Sequence, residues 1–219
     1  MIINFLTIFP DYFTSVLSSS ILKRAKEKEA VNYRVINLRD FAQDKHQTTD
    51  DRPFGGGPGM VMMIEPIDLA LKSLKQIKGS DNKKIILTSA KGALFNQQKA
   101  KNWSELDELT IICGHYEGVD ERVAQYLVDE EVRIGNYVLT GGEPAAAVMT
   151  DAVVRLLPGV LGNEQSNVDE SHSQPGLAGE SQYTRPAKYK NWDVPEVLLS
   201  GDPKKIKTYK KQFRKLVND

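Results

Sequence analysis

The sequence predicts an α/β fold with a mainly parallel sheet. Short apolar runs of strand length alternate with segments of helical period over the first 160 residues. Glycine-bearing turns follow three of the apolar runs. After Gly162 the character changes, first to small, polar and acidic residues and then to a basic segment, which places a second, smaller unit at the C-terminal end.

Ile2 to Phe9 reads as a buried strand stopped by Pro10, with Asp11 placed to cap a helix. Ser20 to Glu29 reads as helix, with Ile21 and Leu22 inward, and Asn32 to Leu38 as a second strand. The polar stretch from Asp40 to Pro53 and the glycine run behind it carry no regular element. Pro66 to Ile77 has one apolar helical face. Ile85 to Leu87 is a short strand before the turn-like Thr88-Ser89-Ala90-Lys91-Gly92, and Asn96 to Leu106 is helix. Leu109 to Cys113 is an apolar strand and Val119 to Val128 a helix. Val132 to Ile134 and Tyr137 to Leu139 read as short strands, and Pro144 to Leu157 as an alanine-rich helix stopped by Pro158-Gly159. The domains follow: 1–161 α/β, 162–182 a flexible linker, and 183–219 a small, basic, helical unit.

Charge balances at 29 basic and 29 acidic residues, which argues against indiscriminate nucleic-acid binding by the whole chain. The distribution is uneven: residues 185–219 hold ten Lys or Arg against four Asp or Glu. A basic tail on a neutral body suits an RNA-facing appendage. The single cysteine, Cys113, supports no disulfide framework, and His46, His115 and His172 lack metal-ligand spacing, so no metal site is expected from the residues. Met1 to Pro10 has the flanks of no signal peptide, and no apolar run reaches membrane-spanning length, so the expected setting is the cytoplasm without a membrane partner.

In an open α/β sheet, ligands bind at the carboxyl ends of the strands. Three loops fall there: Leu87 to Gly92, Gly114 to Gly118 and Ile134 to Gly142. Their glycines let a ligand approach the backbone closely. Neither the Gly-x-Gly-x-x-Gly fingerprint after the first strand nor a Walker lysine motif is present, which disfavours a Rossmann dinucleotide site and a P-loop. Arg155 reads either as a cation complementing a helix C-terminus or as one held near a site. Asp169 and Glu170 read either as solubilising acids or as a base on an ordering loop. The residues by themselves reach an α/β nucleoside-pocket protein with a basic tail.

Six ordered blocks carry a resemblance beyond that point. They are Phe9-Pro10 with Phe13; Asp50-Asp51-Arg52-Pro53-Phe54-Gly55-Gly56-Gly57-Pro58-Gly59-Met60; Cys113 to Arg122; Ile134 to Glu143; Pro158 to Gly162; and Tyr183-Thr184-Arg185-Pro186. The chain resembles, nearly end to end, the bacterial tRNA (guanine-N1-)-methyltransferase family, TrmD. That resemblance implies a SPOUT-class fold with a deep trefoil knot over about residues 85–140. It implies S-adenosylmethionine as methyl donor, held by Leu87, Gly114, Tyr116, Glu117, Ile134, Gly135, Tyr137, Leu139, Gly141 and Gly142. It also implies a homodimer with sites shared between chains, and tRNA as partner, modified at the guanosine immediately 3′ of the anticodon, position 37. Magnesium comes as a family expectation alone.

The chemistry assigns roles to the matching residues. Guanine N1 carries a proton at neutral pH, so a carboxylate must remove it as the methyl group arrives. Where the family has aspartate before Ser-Phe, this chain has Glu170 before Ser171-His172, with Asp169 preceding it. Glu170 is therefore the expected base and Asp169 the second candidate. Arg155 matches the family's arginine and would stabilise charge developing towards O6. The chain departs from the family at His115, where arginine is usual, and in a shortened C-terminal unit. A non-catalytic binding protein and a ribose 2′-O-methyltransferase are the competing readings.

Overall fold

The computed structural model describes residues 1–162, 170–172 and 177–212. The chain divides into two units, Met1–Gly162 and Asn163–Asp219.

The first unit is built on a five-stranded, wholly parallel sheet of order β2-β1-β6-β5-β7. Its strands are β1 (Ile2–Thr7), β2 (Asn32–Asn37), β5 (Lys83–Leu94), β6 (Glu108–Ile112) and β7 (Glu130–Arg133). A small antiparallel pair, β3 (Asp50–Asp51) and β4 (Val61–Met62), stands apart from it. The helices are α1 (Tyr12–Leu17), α2 (Ser20–Glu27), α3 (Ile64–Ser73), α4 (Gln97–Ser104) and α5 (Glu143–Val154).

Strand periodicity sorts the core into two layers, because successive side chains point to opposite faces. Ile3, Phe5, Ile86, Leu109, Ile111, Cys113 and Val132 join one apolar cluster with residues of α1, α2, α4 and α5. Leu6, Ile8, Ile85, Leu87 and Ile112 join the other, with Ile67, Ala70 and Leu71 of α3. Both faces of the sheet are therefore covered, as parallel sheets require. Phe5 stacks on Phe13 with ring centroids 4.3 Å apart, tying β1 to α1.

Local chemistry marks the ends of α4 and α5. Asn96 accepts a hydrogen bond from the Lys99 amide at 2.9 Å and starts α4. Gly142 precedes α5, Pro144 occupies its first turn, and Gly159, at φ 71°, lies beyond its end.

Several elements differ from the sequence reading. Asp11 is itself in helical conformation and makes no side-chain cap. Thr88 to Gly92 is no simple turn: β5 continues to Leu94, with a register shift between Thr88 and Ala93 against β7. A β-carbon on Gly92 would lie 2.3 Å from the Glu131 and Val132 backbone, so only glycine permits that approach. Tyr137 to Leu139 is not a strand, and the helix expected over Val119 to Val128 is present but shorter, its core a π-helix at Val123–Leu127. The polar stretch does hold a regular element, β3.

The second unit holds an antiparallel hairpin, β8 (Lys188–Tyr189) and β9 (Trp192–Asp193), then α6 (Glu196–Leu199) and α7 (Pro203–Gln212). Its hairpin was not anticipated by the helical reading of 183–219.

Candidate active site

Parallel strands deliver their following loops to one edge of the sheet. There the loops after β6 and β7 and the irregular part of β5 enclose a cavity of about 510 Å³, within the roughly 300–1,000 Å³ of small-molecule sites. All ten residues nominated from the sequence as donor-binding line it.

The walls are backbone joined by hydrogen bonds. Thr88 Oγ1 donates to the Ile112 carbonyl at 3.1 Å and accepts from the Gly114 amide at 2.9 Å. The Gly142 amide donates to the Gly114 carbonyl at 2.7 Å, and His115 and Gly141 form a β-bridge. The close approach explains the glycines. A β-carbon on Gly142 would sit 1.8 Å from Thr88 Oγ1, and one on Gly141 2.3 Å from His115 Nδ1. One on Gly135 would meet the Tyr137 ring at 2.2 Å, and one on Gly114 the Thr88 carbonyl oxygen at 2.8 Å.

The segment that follows the glycine run buttresses this site. The Glu117 amide donates to the Met60 carbonyl at 3.0 Å, and the Met62 amide to the Gly118 carbonyl at 2.9 Å. Gly59, at φ 78°, leaves room for the Glu117 side chain. Tyr116 adopts φ 60°. Burial, and after it the Asp50 carboxylate, push its phenol up despite Arg39.

A carboxylate that sequence reasoning missed lies beneath the rim. Glu143 is only 3% exposed. Its Oε1 accepts from Thr7 Oγ1 at 2.7 Å, and its Oε2 lies 3.7 Å from His115 Nδ1. His115 packs against the rings of Phe9 and Tyr116 at 4.9 and 5.1 Å. The sequence signal was a glutamate opening an apolar helix directly after two glycines. Also lining the cavity, Lys91 pairs with Glu121, and Arg133 donates to the Gly92 carbonyl and to Asn136 Oδ1.

Of the nominated catalytic residues, Arg155 of the first unit is not among those lining the cavity. Arg155 is half-buried directly after α5. Glu170 is a half-buried residue of the second unit, and Asp169 lies outside the described residues, as do Arg214 and Lys215 of the basic tail. Among the described residues no group of three or more His, Cys, Asp or Glu side chains is placed to hold a metal ion, and no helix is long and apolar enough to cross a membrane.

Together these features define an α/β protein with a ligand cavity at its strand ends, walled mainly by backbone. The sequence profile of the family described as tRNA (Guanine-1)-methyltransferase TrmD matches residues 1–217. Relatives named tRNA (guanine-N(1)-)-methyltransferase include one from Staphylococcus haemolyticus, 50% identical over 96% of this chain and 84% of its own length. Another, from Halalkalibacterium halodurans, is 49% identical over 97% of this chain and 85% of its own. One from Bacillus cereus is 51% identical over 94% and 84%. The chain belongs to the TrmD family of tRNA methyltransferases.

Proposed function

We propose that the protein methylates N1 of the guanosine immediately 3′ of the tRNA anticodon, position 37, with S-adenosylmethionine as donor, and works as a homodimer in the cytoplasm. One observation carries the donor assignment: the cavity is lined by Gly114, Gly135, Gly141 and Gly142, which put no side chain between it and the backbone. A ligand there meets peptide N–H and C=O groups, which suit an adenine edge and a charged amino-acid end. Bound in that cavity, S-adenosylmethionine supplies an electrophilic methyl group.

The chain's own residues supply the rest. The guanine must leave its stack to present N1. A carboxylate then accepts the N1 proton, a role we give to Glu170, with Asp169 as the second candidate. The Arg155 guanidinium offsets charge gathering on O6. Magnesium has no ligand group among the described residues, and no step is derived through it.

The helix geometry supports sites shared between two chains. Arg155 stands at the far end of α5 from Gly142, roughly 20 Å away at about 1.5 Å per residue. One chain's cavity and a second chain's Arg155 can meet where those of a single chain do not. The exposed apolar side chains of Phe9, Tyr12 and Val148 support such an interface. The knot over about residues 85–140 belongs to the same reading, supported by the hydrogen bonds that link Thr88, Gly114 and Gly142. So do a linker carrying the base at 162–182 and a tRNA-binding unit at 183–219.

The test is transfer of labelled methyl to unmodified tRNA transcripts with and without guanosine after the anticodon, followed by nucleoside analysis. Wild type should yield 1-methylguanosine from the first transcript alone. Asp169→Asn and Glu170→Gln then identify the base by which one abolishes transfer. Label on a ribose 2′-oxygen, or donor binding without transfer, would overturn the reading.

A further inference from the structure

We propose that the hairpin of the second unit is a stacking platform for an unpaired nucleobase of the RNA substrate. The inference rests on the tRNA reading above and adds a binding site to it.

Tyr189 and Trp192 face each other directly across β8 and β9, so their rings share one face of the hairpin. The ring centroids are 5.8 Å apart, with the planes inclined by 41°. Both rings stand in solvent, 55% and 67% exposed. Lys190, at φ 55° in the turn, brings its ammonium to 5.4 Å from the Tyr189 ring and 5.7 Å from the Trp192 ring. The opposite face carries the Lys188–Asp193 pair at 3.6 Å. The tip therefore offers two solvent-facing aromatic rings and a cation.

Charge selects the partner. Between Arg185 and Lys210 the sequence has seven basic residues (Arg185, Lys188, Lys190, Lys204, Lys205, Lys207 and Lys210) against the acids Asp193, Glu196 and Asp202. A basic surface with protruding aromatics fits a single-stranded polyanion that carries π-faces. A duplex keeps those faces inside its own stack, so the platform should discriminate for unpaired nucleotides.

The chain provides its own probe. It has two tryptophans; Trp103 is 2% exposed and Trp192 67%, so quenchable emission belongs to Trp192. The full chain is titrated with a single-stranded heptaribonucleotide and with the same sequence as a duplex. In parallel, methyl transfer to whole tRNA is measured for wild type, Trp192→Leu and Trp192→Phe, with Trp103 emission and circular dichroism reporting that each variant is folded. The single strand should quench Trp192 at concentrations where the duplex does not. Trp192→Leu should raise KM for tRNA about tenfold, with the loss in KM rather than kcat, and Trp192→Phe should recover most of it. The platform falls if Trp192→Leu leaves KM unchanged while wild type methylates tRNA, if duplex and single strand quench alike, or if emission changes with protein concentration alone, which would mark self-association. Selective quenching by the single strand, with no methyl transfer by wild type, would sustain the platform and remove the catalytic reading instead.

Discussion

Gly142→Ala tests the backbone wall of the cavity directly. Gly142 has φ −82° and ψ −9°, which alanine adopts without strain, so the added methyl acts alone. That methyl would lie 1.8 Å from Thr88 Oγ1, 2.8 Å from Thr88 Cβ and 2.9 Å from the Gly114 amide nitrogen. Rotating Thr88 away breaks its bonds to the Ile112 carbonyl and the Gly114 amide. Withdrawing the loop instead breaks the bond from the Gly142 amide to the Gly114 carbonyl. Each lost hydrogen bond costs about 0.5–1.5 kcal/mol, and a buried group left unmet about 1–3 kcal/mol, so the total is about 2–4 kcal/mol. The share falling on the fold lowers Tm by about 2–4 °C per kcal/mol in a unit of this size. The share that deforms the wall lowers S-adenosylmethionine affinity, about tenfold for each 1.4 kcal/mol. Isothermal titration calorimetry and thermal unfolding measure the two shares. Thr88→Ala removes the nearest clashing atom, so Gly142→Ala with Thr88→Ala should lose less than the sum of the single changes, by about 1 kcal/mol. Wild-type affinity in Gly142→Ala, or strict additivity in the pair, would refute the argument.

Arg155→Ala should lower kcat by about 10²–10³ and leave donor affinity in place; an equal loss of donor affinity, seen by calorimetry, would count against its assigned role. Mixing Arg155→Ala with Gly142→Ala chains should restore methyl transfer, because one site of the mixed dimer then has both an intact cavity and an intact arginine. Absence of any recovery, with mixed dimers demonstrated by native mass spectrometry, would mean that each site is built from one chain. Acid should destabilise the first unit through Glu108 and Glu130. Burial pushes both carboxyls up, but hydrogen bonds from Asn4 and Lys83 to the first, and from Lys99 and Lys84 to the second, outweigh it and hold both below the ordinary 4.5. A carboxyl lowered by folding stabilises above its unfolded value, and that contribution goes as pH falls through the folded value. Urea unfolding should therefore show stability falling below about pH 4.5, and Glu108→Gln should flatten the fall; an unchanged slope would contradict it.

Much of the architecture is legible along the chain because burial on a sheet face imposes a period of two and burial of one helix face a period near four. Ile3 and Phe5 against Leu6 and Ile8 already announce a strand covered on both sides. The three loops were legible for a related reason: glycine after an apolar run marks a place where backbone bends or is approached. Local pattern misled where pairing decided the outcome. Tyr137 to Leu139 has the residue types of a strand, yet no neighbouring strand pairs with it, and Val138 is 85% exposed. Thr88 to Gly92 has the residue types of a turn, yet β7 is available to pair beyond it.

The sequence by itself determined the fold class, the order of the main-sheet strands and the helices α2 to α5 of the first unit, the loops that carry the cavity and, through six motif blocks, the family. Those are properties of residues close in the chain, or of a pattern matched block by block. Only the tertiary structure decided why the glycines must be glycines and where the buried carboxylate belongs. Gly142 owes its identity to Thr88, and Glu143 its partner to Thr7. Contacts between residues so far apart in the chain exist only once the sheet has assembled, because chain closure and packing, rather than local preference, bring them within bonding distance.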